Sequence, residues 1–187
     1  NAGDVNGDGL SDVIVGTNSS NASLAATYVV YGSSVAQNLS LTSGTIAASQ
    51  GFRVLTTTTG THYGSAVANA GDINGDGMDD IVFNDGDQRA FVLFGKTDST
   101  SVSTADLTAG IGGFIIDSGS MNANSNLWDA DVVGDFNGDG MADMVVSNES
   151  LSVGGSSPVG GAYLVYGRTA TTALTLDALT ATEGFRI

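Results

Sequence analysis

The chain has 187 residues and a formal net charge of -15, because 20 Asp and Glu outnumber 5 Lys and Arg. This charge disfavours binding to nucleic acid or to an anionic membrane surface. The absence of cysteine excludes disulfides, zinc-thiolate sites and thiol nucleophiles. The sequence contains no apolar run long enough to predict direct insertion into a membrane. The 27 Gly and the scattered Ser, Thr, Asn and Asp favour short strands joined by tight turns, so we expect an all-β domain.

A nine-residue segment rich in Asp occurs three times along the chain. We call its copies the first, second and third Asp loops, at residues 4–12, 72–80 and 135–143. Each copy runs into a β-branched or apolar segment, which predicts strands at 12–15, 80–83 and 143–146. Two further sets of short strands recur in step with the loops, one ending in aromatic-Gly at 27–32, 90–95 and 162–167, the other beginning with Gly-Phe at 51–54, 113–116 and 184–187.

These markers define one repeating unit of four strands, with the Asp loop between the first and second strands. Residues 63–70 and 128–133 are the predicted opening strands of the second and third units, and the first unit lacks one. We therefore expect a single segment, 1–187, made of repeats 1–55, 62–116 and 126–187. The connections that vary most in length, at 17–26, 84–89 and 148–161, are predicted to be exposed, either for recognition or through neutral variation in a hairpin.

The pattern Asp-x-Asn-x-Asp-Gly-x-x-Asp indicates a calcium site. It places side-chain oxygens at its first, third, fifth and ninth positions and leaves the carbonyl of the seventh free, and Ca²⁺ takes 6 to 8 oxygen ligands. The predicted ligands of three Ca²⁺ ions are Asp4, Asn6, Asp8, the Leu10 carbonyl and Asp12; Asp72, Asn74, Asp76, the Met78 carbonyl and Asp80; and Asp135, Asn137, Asp139, the Met141 carbonyl and Asp143.

Other interpretations of the loops are weaker. An EF-hand needs Glu at the twelfth position, where this chain has Val15, Phe83 and Val146, and strands rather than helices follow. Mg²⁺ prefers a small octahedral shell that keeps several waters. Asn-Asp-Gly turns without any metal are the remaining alternative.

The loops and strands together resemble FG-GAP repeats of the integrin α-chain type, including those of bacterial secreted proteins. The resemblance rests on Tyr-Gly at 63–64, the loop at 71–77 and the strand at 90–95, and it extends over nearly the whole chain. It implies a β-propeller segment of about three four-stranded blades, the first without its innermost strand. It also implies a recognition surface opposite the calcium loops, formed by the variable connections together with residues 56–61 and 118–125.

The resemblance leads us to expect a non-enzymatic, calcium-stabilised extracellular scaffold for cell adhesion or protein–protein interaction, with a protein or glycan ligand on its variable loops. Extracellular modules bind calcium at about 10⁻⁴–10⁻³ M, a level that the cytosol does not supply. A carbohydrate-binding propeller and a non-catalytic repeat region of a secreted hydrolase are the alternatives. Propellers close with about 4–8 blades, so we expect further blades from the same or another chain. His62 is predicted to lie in a surface turn, and Trp128 to pack between blades.

Overall fold

A computed structural model of the chain describes residues 1–17, 26–36, 38–39, 41, 45–56, 64–84, 89–119, 129–148 and 160–187. Almost all the regular structure in these ranges is β. The exceptions are one short helix, α1 (Thr104–Thr108), and one 3-10 turn, Leu176–Ala178. The strands are β1 (Val13–Gly16), β2 (Ala26–Val30), β3 (Gly51–Leu55), β4 (Val67–Gly71), β5 (Asp80–Asn84), β6 (Arg89–Leu93), β7 (Val102–Ser103), β8 (Gly113–Asp117), β9 (Asp129–Gly134), β10 (Asp143–Asn148), β11 (Gly161–Val165), β12 (Leu174–Thr175) and β13 (Gly184–Arg186).

These strands form three sheets. The strand order is β1-β2-β3-β7 in the first sheet, β12-β8-β6-β5-β4 in the second and β13-β11-β10-β9 in the third. In the second and third sheets, four antiparallel strands follow the predicted order, with the Asp loop between the first and second of them. The all-β character and the repeated antiparallel unit are therefore confirmed, with strand limits within a few residues of those expected.

The sheets are not limited to four strands of one repeat, as the sequence had suggested. The two-residue strand β7 pairs in parallel with β3, and β12 pairs in parallel with β8, so each short strand comes from the repeat that follows. The second sheet thus has five strands. The sequence gives little signal for such a strand, because two residues are too few to show an alternating pattern.

The second sheet lies between the other two, and its strands are accordingly apolar on both faces. In β5, Ile81 and Phe83 contribute to the core shared with the first sheet, whereas Val82 contributes to the core shared with the third. Successive side chains of a strand point to opposite faces, so this continuous apolar run follows from burial on both sides. The same alternation places Phe114 and Ile116 of β8 against the third sheet.

The first sheet has no opening strand in the described residues; an isolated bridge between Gly3 and Asp12 precedes β1 instead. No helix in the described part of the chain has the combined length and apolar character that crossing a membrane requires.

Candidate metal centres

The three Asp loops have the same position in their repeats. The second loop joins β4 to β5, the third joins β9 to β10, and the first leads into β1. A register irregularity accompanies the second loop at Asn69 and Gly71 and the third at Asp143 and Met144. The loops therefore project from the same corner of each antiparallel unit.

The carboxylate at the first position closes each loop by accepting backbone amides. In the first loop, Asp4 Oδ1 accepts from the Asp8 amide at 3.0 Å and Asp4 Oδ2 accepts from the Gly9 amide at 2.8 Å. The corresponding bonds to Asp72 are both 2.9 Å, and those to Asp135 are 3.0 and 2.9 Å. Short acidic side chains make such local bonds readily, which is consistent with 18 of the 20 acidic residues of the chain being Asp.

The third and fifth positions are also bonded to each other. In the second loop, Asn74 Oδ1 accepts from the Asp76 amide at 2.8 Å, and Asn74 Nδ2 donates to Asp76 Oδ2 at 2.9 Å. The other Asp76 oxygen accepts from the Met78 amide at 2.9 Å. The first and third loops contain the same three bonds at 2.8–3.0 Å.

Glycines at the fourth and sixth positions make this path possible. Gly75 and Gly77 have φ angles of 77° and 90°, a region that side-chain-bearing residues rarely adopt. Their equivalents in the other two loops have φ angles between 73° and 92°. The amides that point into each loop therefore depend on these glycines.

The carboxylate at the ninth position lies beneath the loop and is buried in all three copies. Asp80 Oδ2 accepts from the Ile73 amide at 2.9 Å, and Asp80 Oδ1 accepts from the Gly95 amide at 2.7 Å. Asp12 and Asp143 make the matching bonds, with the second partner again the glycine of the aromatic-Gly strand end. This carboxylate thus joins the loop to the third strand of its own repeat.

Burial and neighbouring charge both act on the ninth-position carboxylates of the first and second loops. Burial raises the pKa of Asp80 to about 7, although the amides of Gly95 and Ile73 oppose the rise and the negative charges of Asp76 and Asp72 add to it. Burial also raises the pKa of Asp12, again with a contribution from nearby loop carboxylates. In the first and second loops the carboxylates are therefore close enough to repel one another, and a bound cation would relieve that repulsion.

The donor set fits a hard cation by its chemistry. Each loop offers three carboxylates, one side-chain amide oxygen and a backbone carbonyl, and an oxygen that accepts one amide proton keeps a lone pair for a metal. Among the described residues, however, no group of three or more His, Cys, Asp or Glu side chains already has its atoms placed to hold a metal ion. The five predicted ligands of each calcium ion thus lie within one loop, and calcium binding itself stays a prediction.

Two features of these corners were not predicted from the sequence. One is the glycine amide of the aromatic-Gly strand end as a partner of the ninth-position carboxylate, in Gly32, Gly95 and Gly167. The other is the basic residue that follows two of these glycines. Lys96 Nζ lies 4.8 Å from the ring centroid of Phe52, and Arg168 Cζ lies 5.2 Å from that of Phe114, in each case a ring of the preceding repeat. The in-phase aromatic-Gly-Lys and aromatic-Gly-Arg sequences were the available signal.

Several predictions fall outside the described residues. These include the positions of His62, Tyr63 and Trp128 and most of the variable connections at 17–26, 84–89 and 148–161. Searches against protein-family models and against curated proteins found no match to this chain. The resemblance to FG-GAP repeats therefore stays a prediction.

Proposed function

We propose that the chain is a calcium-stabilised segment of an extracellular β-propeller of the FG-GAP type, acting as a scaffold for cell adhesion or protein–protein interaction. The observation that carries this proposal is the threefold recurrence of one oxygen-only loop. In each copy a buried ninth-position carboxylate lies beneath further acidic side chains. Three calcium ions in these loops would have a structural role, because a loop that supplies its own ligands needs no open position for chemistry.

The arrangement of the sheets supports the propeller part of the proposal. Successive antiparallel units pack face to face, and each pair of neighbours shares its own apolar core. Propellers are built from such four-stranded units repeated around an axis. The blades of this segment correspond to the three sheets, with the first lacking its innermost strand.

The position of the loops supports the scaffold part. Each Asp loop lies at one end of its antiparallel unit, whereas the second and third strands are joined at the other end, where Asn84 of β5 pairs with Ala90 of β6. A ligand-binding surface on those connections would leave the calcium corners free to stabilise the blades. Extracellular calcium concentrations suit loops of modest affinity.

Calcium titration of thermal unfolding tests the proposal. At about ten times Kd, three equal sites together raise the melting temperature by roughly 10 °C, since each contributes about 1.4 kcal/mol. Excess chelator should reverse the rise, and Mg²⁺ at equal concentration should give a much smaller one. Calorimetry of calcium binding should give three ions per chain.

Asp76→Asn is the diagnostic variant, because it keeps the size of a ligand and removes its charge. We expect it to bind two ions instead of three and to lose about one third of the calcium-dependent stabilisation. Asp129→Asn is the matched control, since Asp129 is an exposed carboxylate at the start of β9, outside every loop. A melting temperature that does not respond to calcium or chelator would contradict the proposal.

A further inference from the structure

The second repeat holds the first Asp loop by both backbone groups of the loop's first residue. The Asp79 amide donates to the Asp4 carbonyl at 3.0 Å, and the Asp4 amide donates to Asp79 Oδ2 at 2.7 Å. The two residues are 75 positions apart in the sequence. Asp79 therefore closes a pair of hydrogen bonds around the backbone of Asp4, which is the first predicted calcium ligand of its loop.

A glycine makes room for this carboxylate. Gly3 directly precedes Asp4 and has a φ angle of 74°, and a side chain at Gly3 would overlap the carboxylate of Asp79. Asp79 is itself half-buried. The contact is thus built into the junction of two repeats and differs from a chance approach of two surface side chains.

The junction between the second and third Asp loops lacks this carboxylate. Ala142 occupies the position of Asp79, and its amide donates to the Asp72 carbonyl at 2.8 Å in the same way. The methyl group of Ala142 offers no acceptor, and the Asp72 amide has no hydrogen-bond partner among the described residues. Gly71 precedes Asp72 with a φ angle of 67°, so the backbone at this junction keeps the form that it has around Asp79.

Two other contacts occur at both junctions. One is an amide that donates to the carbonyl of the second loop position, and the other is a methionine side chain against the glycine of the fourth position. They join Lys96 to Val5 and Met78 to Gly7 at the first junction, and Arg168 to Ile73 and Met141 to Gly75 at the second. The carboxylate of Asp79 is therefore a difference between two otherwise similar junctions.

We infer that Asp79 is a positioning residue of the first calcium site, so that the following repeat completes this site. The inference rests on the proposed calcium function. The first and second loops have the same internal bonds, so the Asp79 carboxylate does not change the shape of the loop. It restrains the backbone that carries the Asp4 carboxylate, and a restrained ligand loses less freedom when a metal binds.

The charge of Asp79 is a second way in which it would favour calcium, and it must be separated from the hydrogen bond. Asp79→Asn removes the charge but keeps a side-chain oxygen that can accept the Asp4 amide. Asp79→Ala removes both and reproduces the residue found at the second junction. Comparison of these two variants thus distinguishes positioning from simple attraction.

Nuclear magnetic resonance can follow the three loops of the full chain separately. The amides of Gly9, Gly77 and Gly140 each donate to the first carboxylate of their own loop at 2.8–2.9 Å, so their resonances should report calcium binding there. A calcium titration then gives one Kd for each loop. Hydrogen exchange of the Asp4 amide in excess chelator tests the bond to Asp79 without any metal.

Asp79→Ala should weaken calcium binding at the first loop by about three- to ten-fold, which is the scale of one net hydrogen bond, and should leave the third loop unchanged. Exchange of the Asp4 amide should become faster. Asp79→Asn should keep the Kd of the first loop within about two-fold in salt that screens the remaining charge effect. Asp129→Ala is the matched control, because it removes an exposed carboxylate outside every loop and should change none of the three constants.

Ala142→Asp is the reciprocal variant and removes no existing contact. It should give the Asp72 amide an acceptor and tighten calcium binding at the second loop by about three- to ten-fold. Melting curves in chelator check that each variant is folded. If Asp79→Ala is unstable, Ala142→Asp still tests the inference.

Three results would overturn the inference. If calcium binds but the Kd of the first loop is the same in Asp79→Ala as in the natural chain, Asp79 does not position the site and the proposed function still stands. If Asp79→Asn weakens the first loop as much as Asp79→Ala, the effect comes from charge and not from positioning. If the natural chain binds no calcium at any loop, the proposed function fails and the inference fails with it.

Discussion

The second and third Asp loops have nearly the same internal hydrogen bonds but different surroundings. Ile73, at the second position of the second loop, is fully buried against the third sheet, whereas Phe136 occupies that position in the third loop and is exposed. The bonds around Asp72 and Asp135 nevertheless agree within about 0.1 Å. The shape of a loop is therefore set by its own Asp, Asn and Gly residues, and its contribution to stability is set by the neighbouring sheet.

Truncating the side chain at the second position of each loop should show most strongly how much stability comes from packing against the neighbouring sheet. Ile73→Ala should lower the free energy of unfolding by about 2–5 kcal/mol, because it leaves a cavity in a closed core. Phe136→Ala should lower it by less than about 1 kcal/mol, since an exposed ring loses little packing. Urea unfolding of both variants measures the difference, and equal losses would show that the Phe136 ring is buried in solution.

Substitution at the ninth position should give equal effects in the two loops. Asp80→Ala and Asp143→Ala each remove a buried carboxylate that accepts backbone amides at 2.7–2.9 Å. We expect a loss of about 2–4 kcal/mol in both cases without calcium, because the freed amide of Gly95 or Gly167 stays buried and loses its acceptor. Unfolding in excess chelator checks this, and a loss confined to Asp80→Ala would mean that the neighbouring sheet, not the loop, controls the bond.

The short helical turns provide a smaller version of the same comparison. Ser103 caps α1 by accepting from the Asp106 amide and is part of a capping box, whereas Thr175 makes no side-chain cap bond at the 3-10 turn. Ser103→Ala should therefore lower stability by about 1 kcal/mol and Thr175→Ala by much less. Thermal unfolding of both variants tests this expectation.

The capping difference should also depend on pH. The bonds from the Ser103 hydroxyl and amide lower the pKa of Asp106, so their contribution is present above the ordinary Asp pKa of about 3.9. It is lost as the pH falls through the lowered value in the folded chain. The gap between the natural chain and Ser103→Ala should accordingly narrow in acid, and a gap that stays constant down to pH 2 would contradict this account.

The smallest expected effect concerns the cation over each buried ring. Lys96→Met keeps the length of the stem that covers Phe52 and removes the charge, together with the exposed ion pair between Lys96 Nζ and Asp98 at 2.9 Å. It should lower the free energy of unfolding by about 0.5–1 kcal/mol, as should Arg168→Met over Phe114. High salt should screen the exposed ion pairs of Lys96 with Asp98 and of Arg168 with Glu183, and should leave the share of the difference that comes from the buried rings. Complete loss of the difference in salt would assign it to the ion pairs and argue against a cation–π contact.

The features that the sequence predicted well are the local ones. The Asp-Asn-Asp-Gly pattern predicts tight turns because its short side chains reach only nearby amides, and the apolar segment after each loop predicts the second strand. The in-phase aromatic-Gly and Gly-Phe segments correctly place the third and fourth strands. Repetition strengthened each of these predictions, since a pattern that occurs three times at the same spacing rarely arises by chance.

The features that it missed depend on partners distant along the chain. The bond from the Gly95 amide to Asp80 requires the register between β5 and β6, which neither residue indicates alone. The parallel pairing of β7 with β3 joins two repeats through only two residue pairs. The cation of Arg168 lies over a ring of the preceding repeat, which the residues around Arg168 in the sequence do not indicate.

Because of the short parallel strands β7 and β12, the limits of a sheet do not coincide with the limits of a sequence repeat. Because β12 of the third repeat completes the second sheet, a cut between the two repeats divides that sheet instead of separating two whole sheets. Excising a repeat at its sequence limits would expose the edge of β8, and neighbouring repeats should lose structure together when one of them unfolds. Deletions or grafts in this chain would keep their sheets whole only if each boundary were moved past the short strand.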